Sequence, residues 1–140
     1  MATRLSELIA EHREPLTDRI VKDAICQIPS YAGAPLRQTM DRVERWLAAL
    51  ATSLEGNDPH VLEQFLGAVG QERQEEGYPV AELHGIVQST ERHLSDLIRS
   101  VCTQEVDCNA NLALLGTVME STRMVLSVTY ILSSGGRSPF

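Results

Sequence analysis

From Leu112 to Leu132 apolar side chains recur on nearly every side of a helical wheel. Leu112, Leu115, Met119 and Leu126 follow one line, with Leu114, Val118, Val125, Val128 and Ile131 around it. A surface helix shows one apolar stripe, whereas a helix apolar almost all round is buried on most sides. Lipid is not expected to cover it, because Glu120 and Arg123 sit near the middle and two charges there are costly in hydrocarbon. The segment is therefore either the central helix of a helical domain, or a helix that gives one face to its own core and another to a second copy. The second arrangement marks Leu112, Leu115, Met119, Val125 and Leu126 as the candidate homodimer interface.

The rest of the chain repeats the helical period. Leu5, Leu8, Ile9 and His12 form a first stripe, and Pro15 breaks or restarts the chain. A histidine on such a stripe reads as a satisfied core residue before it reads as a ligand. Leu16, Ile20, Val21, Ala24, Ile25 and Ile28 make a second stripe, and the turn-rich stretch from Pro29 to Pro35 is predicted as a loop. Leu36, Met40, Val43, Leu47, Leu50 and Leu54 alternate steps of four and three, a seam between packed helices flanked by the sole tryptophan, Trp46. Gly56 and Asn57 stop that helix; Asp58 as N-cap and Pro59 at the first position start the next. Its apolar face is Val61, Leu62, Phe65, Leu66 and Val69. Gly77 is a natural residue to follow its end, and Pro79 opens another helix at once. Val80, Leu83, Val87, Leu94, Leu97, Ile98 and Val101 line that fifth helix. The expectation is an all-α domain of about six helices, the last two longest and antiparallel, over residues 1–133, with 134–140 a flexible tail.

Composition narrows the partners. A formal charge of −7 repels phosphate backbones and anionic lipid, so neither nucleic acid nor a membrane is expected. Charges at Glu7, Glu11 and Arg13 leave no signal-peptide apolar core. Cys26, Cys102 and Cys108 are odd in number and lack a Cys-x-x-Cys, and read as small buried hydrophobes in a reducing cytoplasm, with a redox-sensing thiol as the alternative.

Catalytic and metal patterns are poorly supplied. Glu82 with His84, and Glu91 with His93, are two residues apart, about 200° around a helix, so they cannot form the Glu-x-x-His of a di-metal bundle. No Gly-x-Ser-x-Gly turn or phosphate-cradling glycine loop occurs. His84-Gly85 has the small neighbour that a histidine phosphotransfer site needs, but Ile86 and Val87 stand where its usual lysine would be. The remaining feature is the corner of Arg73, Gly77 and Pro79: a buried Arg73 would fix it through carbonyl contacts, and an exposed one would be a solvated helix end.

At this corner the run from Phe65 to Leu83 resembles the N-terminal sensory domain of RsbR-type stressosome proteins, the RsbT co-antagonists. The likeness rests on an apolar helix followed by Arg73, then Gly77 just before a helix headed by Pro79 and Leu83. It implies a globin-like, dimeric domain, generally without haem, in stress-response signal transduction. In a globin layout the iron-binding histidine would fall mid-helix between Val61 and Glu76, where no histidine occurs. No cofactor is therefore expected. The family's last helix leads into an output domain, whereas this sequence closes at Phe140, so the expected output is a separate signalling chain. The leading expectation is a non-catalytic sensor or regulatory module that relays a signal through helix packing and homodimerisation. The alternatives are a carrier of haem, tetrapyrrole or a small apolar ligand, and a phosphotransfer protein using His84.

Overall fold

The computed structural model describes residues 3–135. Among them are seven helices and no strand: α1 (Leu5–Glu11), α2 (Arg13–Gln27), α3 (Pro29–Ala32), α4 (Leu36–Glu55), α5 (Pro59–Glu75), α6 (Val80–Val101) and α7 (Glu105–Gly135). The helix beyond the expected six is α3, inside the segment predicted as a loop. Pro29 takes its first helical position, where a missing N–H costs nothing, and Tyr31 anchors it in the core.

The first break falls at His12 rather than at Pro15. His12 leaves helical geometry (φ −110°, ψ 19°), while Pro15 lies in the first turn of α2. First-turn N–H groups have no acceptor within the helix, so proline takes nothing from the ladder there. His12 Nδ1 stands 3.0 Å from the Leu8 carbonyl oxygen, a satisfied position at the helix junction.

Two helix ends are closed by the same device. After α4 the Asp58 N–H donates to Ser53 O at 2.9 Å and Asn57 adopts φ +47°. After α5 the Tyr78 N–H donates to Arg73 O at 2.9 Å and the Gly77 N–H to Gln74 O at 3.0 Å, with Gly77 at φ +89°. This is the Schellman arrangement, which needs a left-handed residue just past the helix end. Between them the Asp58 carboxylate caps α5 by accepting from the His60 N–H at 3.0 Å.

α6 and α7 are the two longest helices and run antiparallel: His84 meets Ser127, Glu91 pairs with Arg123, and Cys102 lies near Asn111. α7 also packs along α5, where Gly70 lets the helices close in; a Cβ there would come within 3.0 Å of Thr129 Cγ2. α1 and α2 cover α4 from the other side, and α2 reaches α6. α7 continues to Gly135, two residues into the stretch expected as a tail; residues 136–140 lie outside the described residues.

Packing reassigns the apolar residues of α7. Leu115, Met119 and Leu126 are 1%, 0% and 3% exposed, part of one core with α5 and α6 residues such as Leu66, Leu83 and Leu94. They are unavailable to a second copy, because the helix turns this line toward its own domain. Leu112 and Val125 are half-buried against the same core. The cysteine expectation also changes: Cys26 is exposed, and Cys102 and Cys108 are half-buried.

Candidate ligand cavity and outer face of the last helix

The buried line of α5 runs Leu62, Leu66, Gly70, Arg73, so helical periodicity carries an arginine inward at the last turn. Arg73 is 5% exposed. Its partners are carboxylates and not the carbonyls expected: Nη1 donates to Glu72 at 2.8 Å and to Glu76 at 2.7 Å. Arg42 of α4 donates to the other Glu76 oxygen at 2.8 Å, tying α4 to the corner. Burial works against the Arg73 charge, but the hydrogen bonds to Glu72 and Glu76 outweigh it and raise its pKa. Burial likewise pushes the Glu76 carboxyl up, and Arg42 and Arg73 together bring it below the ordinary range. Gly77 supplies the left-handed turn and Pro79 the N-cap of α6.

Next to this corner lies a cavity of about 300 Å³ between α4, α5 and α6. Much of its wall is apolar, with Val43, Trp46, Leu66, Val69, Leu83 and Val87 among the lining residues. Arg42, Arg73 and Tyr31 bring polar groups to it, as do Gln38, Asp41, Arg45 and Glu72. Trp46 is fixed by a buried chain in which its Nε1–H donates to Thr90 Oγ1 at 2.9 Å and that hydroxyl donates to Ile86 O at 2.8 Å. Burial pushes the Tyr31 phenol up to about 12, against the charge of Arg73. Tyr31 thus stays a neutral donor at any physiological pH.

The histidines have structural employment. His84 Nε2 lies 3.2 Å from Ser127 Oγ on α7, and Nδ1 is enclosed without a hydrogen-bond partner. Burial first, and the Arg123 charge second, lower its pKa. A phosphotransfer histidine must offer a ring nitrogen to a docking partner, and this arrangement works against that. His93 Nε2 is 2.7 Å from Asp23 Oδ2, which also accepts from Ser89 Oγ at 2.7 Å and from Arg92. Burial raises the Asp23 pKa, and the hydrogen bonds from Ser89 and His93 and the nearby charges lower it further than that. The Ser89 proton is directed to Asp23 and not to His93, so this is a clip between α2 and α6 and not a nucleophile–base pair. Among the described residues no group of His, Cys, Asp and Glu could hold a metal ion.

The outward side of α7 carries a different apolar set. Leu114, Met124, Val128, Ile131 and Leu132 are 44%, 63%, 46%, 68% and 71% exposed. With the exposed Thr117 and Ser121, the positions 114, 117, 121, 124, 128 and 131 step by three and four, the spacing of a knobs-into-holes seam. The sequence marks α7 as apolar but carries no signal for which of its faces turns outward, nor for the cavity and the Asp23 clip, which join residues far apart in the chain.

No protein-family model matches this chain, and neither does any curated protein or any solved structure. Among the described residues no helix is long and apolar enough to cross a membrane.

Proposed function

We propose that this is a non-catalytic, globin-like sensor or regulatory domain that pairs with a second copy through the outer face of α7 and relays a signal to a separate signalling chain. The observation that carries this reading is the exposed seam of Leu114, Met124, Val128 and Ile131 on a helix whose opposite side is core. Helices with apolar residues every three and four positions associate side by side, and water is a poor neighbour for such a strip. α7 also touches the corner directly: Tyr130 bonds to the Tyr78 carbonyl and Leu126 lines the cavity. A change in packing at the corner therefore reaches the seam along one rigid helix, and a two-state interface would pass it on.

Sedimentation velocity tests the pairing. Wild type is expected to be a dimer at micromolar concentration, and Met124→Glu and Val128→Glu to be folded monomers with unchanged helical circular dichroism. A monomeric wild type would falsify the proposal.

A further inference from the structure

The cavity beside the corner carries an inference that goes beyond the relay and stands without it. The Arg73 side chain is only 6% exposed, yet its two ion pairs both use Nη1. The opposite edge, Nε–H with Nη2–H, has no hydrogen-bond partner among the described residues. The Tyr31 hydroxyl likewise has none, although the residue is 5% exposed. Both residues line the same cavity. An arginine edge of this kind takes a carboxylate through two parallel hydrogen bonds. Lysine could not reproduce that fork.

The remaining walls set the body of the ligand. Apart from Gln38, Asp41, Arg45 and Glu72 they are aliphatic and aromatic surface, and the volume of about 300 Å³ is roughly twice the ~150 Å³ of an engineered apolar cavity that holds benzene. One ring with a short chain, or a short branched chain, fills such a space. We infer that the cavity between α4, α5 and α6 binds a small monocarboxylate with a compact apolar body, its carboxylate held by the free edge of Arg73 and by the Tyr31 hydroxyl. Glu72 and Glu76 do not forbid this. They are 61% and 36% exposed, so solvent screens their charges, and although Glu72 also borders the cavity both bond to Nη1 alone. The ligand meets the guanidinium at the edge that those carboxylates leave unused.

Trp46 reports the test, being the sole tryptophan and part of the cavity wall. Sodium 3-phenylpropionate and sodium hexanoate are titrated into the full chain while tryptophan emission and heat are recorded, with 3-phenylpropanol as the probe lacking a carboxylate. The expected result is saturable binding of both acids, with the alcohol weaker by about tenfold or more, as losing charge-assisted hydrogen bonds requires. Val69→Phe, one turn before Arg73, narrows the cavity while the guanidinium stays in place, and should abolish binding in a protein of unchanged helical content. Arg73→Lys and Tyr31→Phe should each weaken the acid and leave the alcohol alone. No saturable signal from either acid at millimolar concentration overturns the inference. So does an alcohol that binds as well as its acid, or a folded Val69→Phe that binds normally. The titration is run on wild type and on Met124→Glu alike, so that failure of the dimer and failure of the ligand site are read separately.

Discussion

The Tyr130 hydroxyl donates to the Tyr78 carbonyl at 2.6 Å, joining the far end of α7 to the residue that closes α5. Tyr78 in turn stacks edge-on against Tyr31, with ring centroids 5.2 Å apart, and its own N–H bonds to Arg73 O. One hydrogen bond thus couples the helix that carries the seam to the corner beside the cavity. Tyr130→Phe removes the donor and leaves the ring. It should cost about 1 kcal/mol or somewhat more in urea unfolding, because a part-buried carbonyl loses its partner. Amide exchange should quicken at Gly77 and Tyr78 before it does in α4.

Gly67 and Gly77, within and just past α5, make a matched pair of opposite sign. Gly77 stands at φ +89°, where a Cβ is strained, so Gly77→Ala should destabilise by about 1–2 kcal/mol although nothing lies within 4 Å of the added carbon. Gly67 is inside α5 with equally open space and ordinary backbone, and Gly67→Ala should stabilise by roughly 0.5–1 kcal/mol. Thermal melts of both variants check the pair. Equal shifts in one direction would mean that backbone geometry does not govern the corner.

Acidification should remove stability in two separate steps. His84 has a folded pKa below its unfolded value of 6.5, so the unfolded chain binds the proton first and stability falls as pH drops below about that value. Asp23 has a folded pKa below 3.8, so its contribution is complete above that value and is lost as pH falls through the folded pKa. His84→Gln should flatten the upper step and leave the lower one. Asp23→Asn should reduce the lower step, in which the likewise lowered Glu76 also takes part, and cost about 1–2 kcal/mol at neutral pH, through weaker bonds to Ser89 and His93. Urea midpoints measured from pH 7 down to the acid limit separate the two.

Sequence reading succeeded where the governing chemistry is local. Asp58-Pro59 starts α5 because a carboxylate and a proline suit the first turn in any context. Gly77 ends it because only a residue free of Cβ strain accepts that turn readily. Arg73, Gly77 and Pro79 were therefore legible as a corner, and the buried line of α5 was within reach of periodicity. Choices between equivalent apolar faces were not legible. Leu115 and Leu114 are chemically the same residue one step apart, and only the positions of α5 and α6 decide which of them is core. The Trp46–Thr90 bond and the Asp23 clip were hidden for a related reason. Each joins helices whose relative register is set by packing, and no local signal in Ser89, Thr90 or Asp23 announces its partner. Pro29 to Pro35 misled because turn residues also suit a single helical turn, and it was burial of Tyr31 that favoured α3.

The two faces of α7 can be told apart by experiment with one residue type. Met119 is 0% exposed within the core and Met124 is 63% exposed on the seam. Met119→Ala should open a cavity and cost about 2–5 kcal/mol, since the surrounding side chains relax only in part. Its oligomeric state should hold under conditions where it remains folded, because the outer face is untouched. Met124→Ala removes a side chain that the single domain does not bury, so stability measured in a monomeric background such as Val128→Glu should change by less than about 0.5 kcal/mol. In the otherwise wild-type chain, the same substitution should raise the dimer dissociation constant several-fold, and the melting temperature should then fall at low protein concentration only. A large stability loss for Met124→Ala in the monomeric background would mean that this side of α7 is packed inside the domain. The helix would then have no free face on which a second copy could sit.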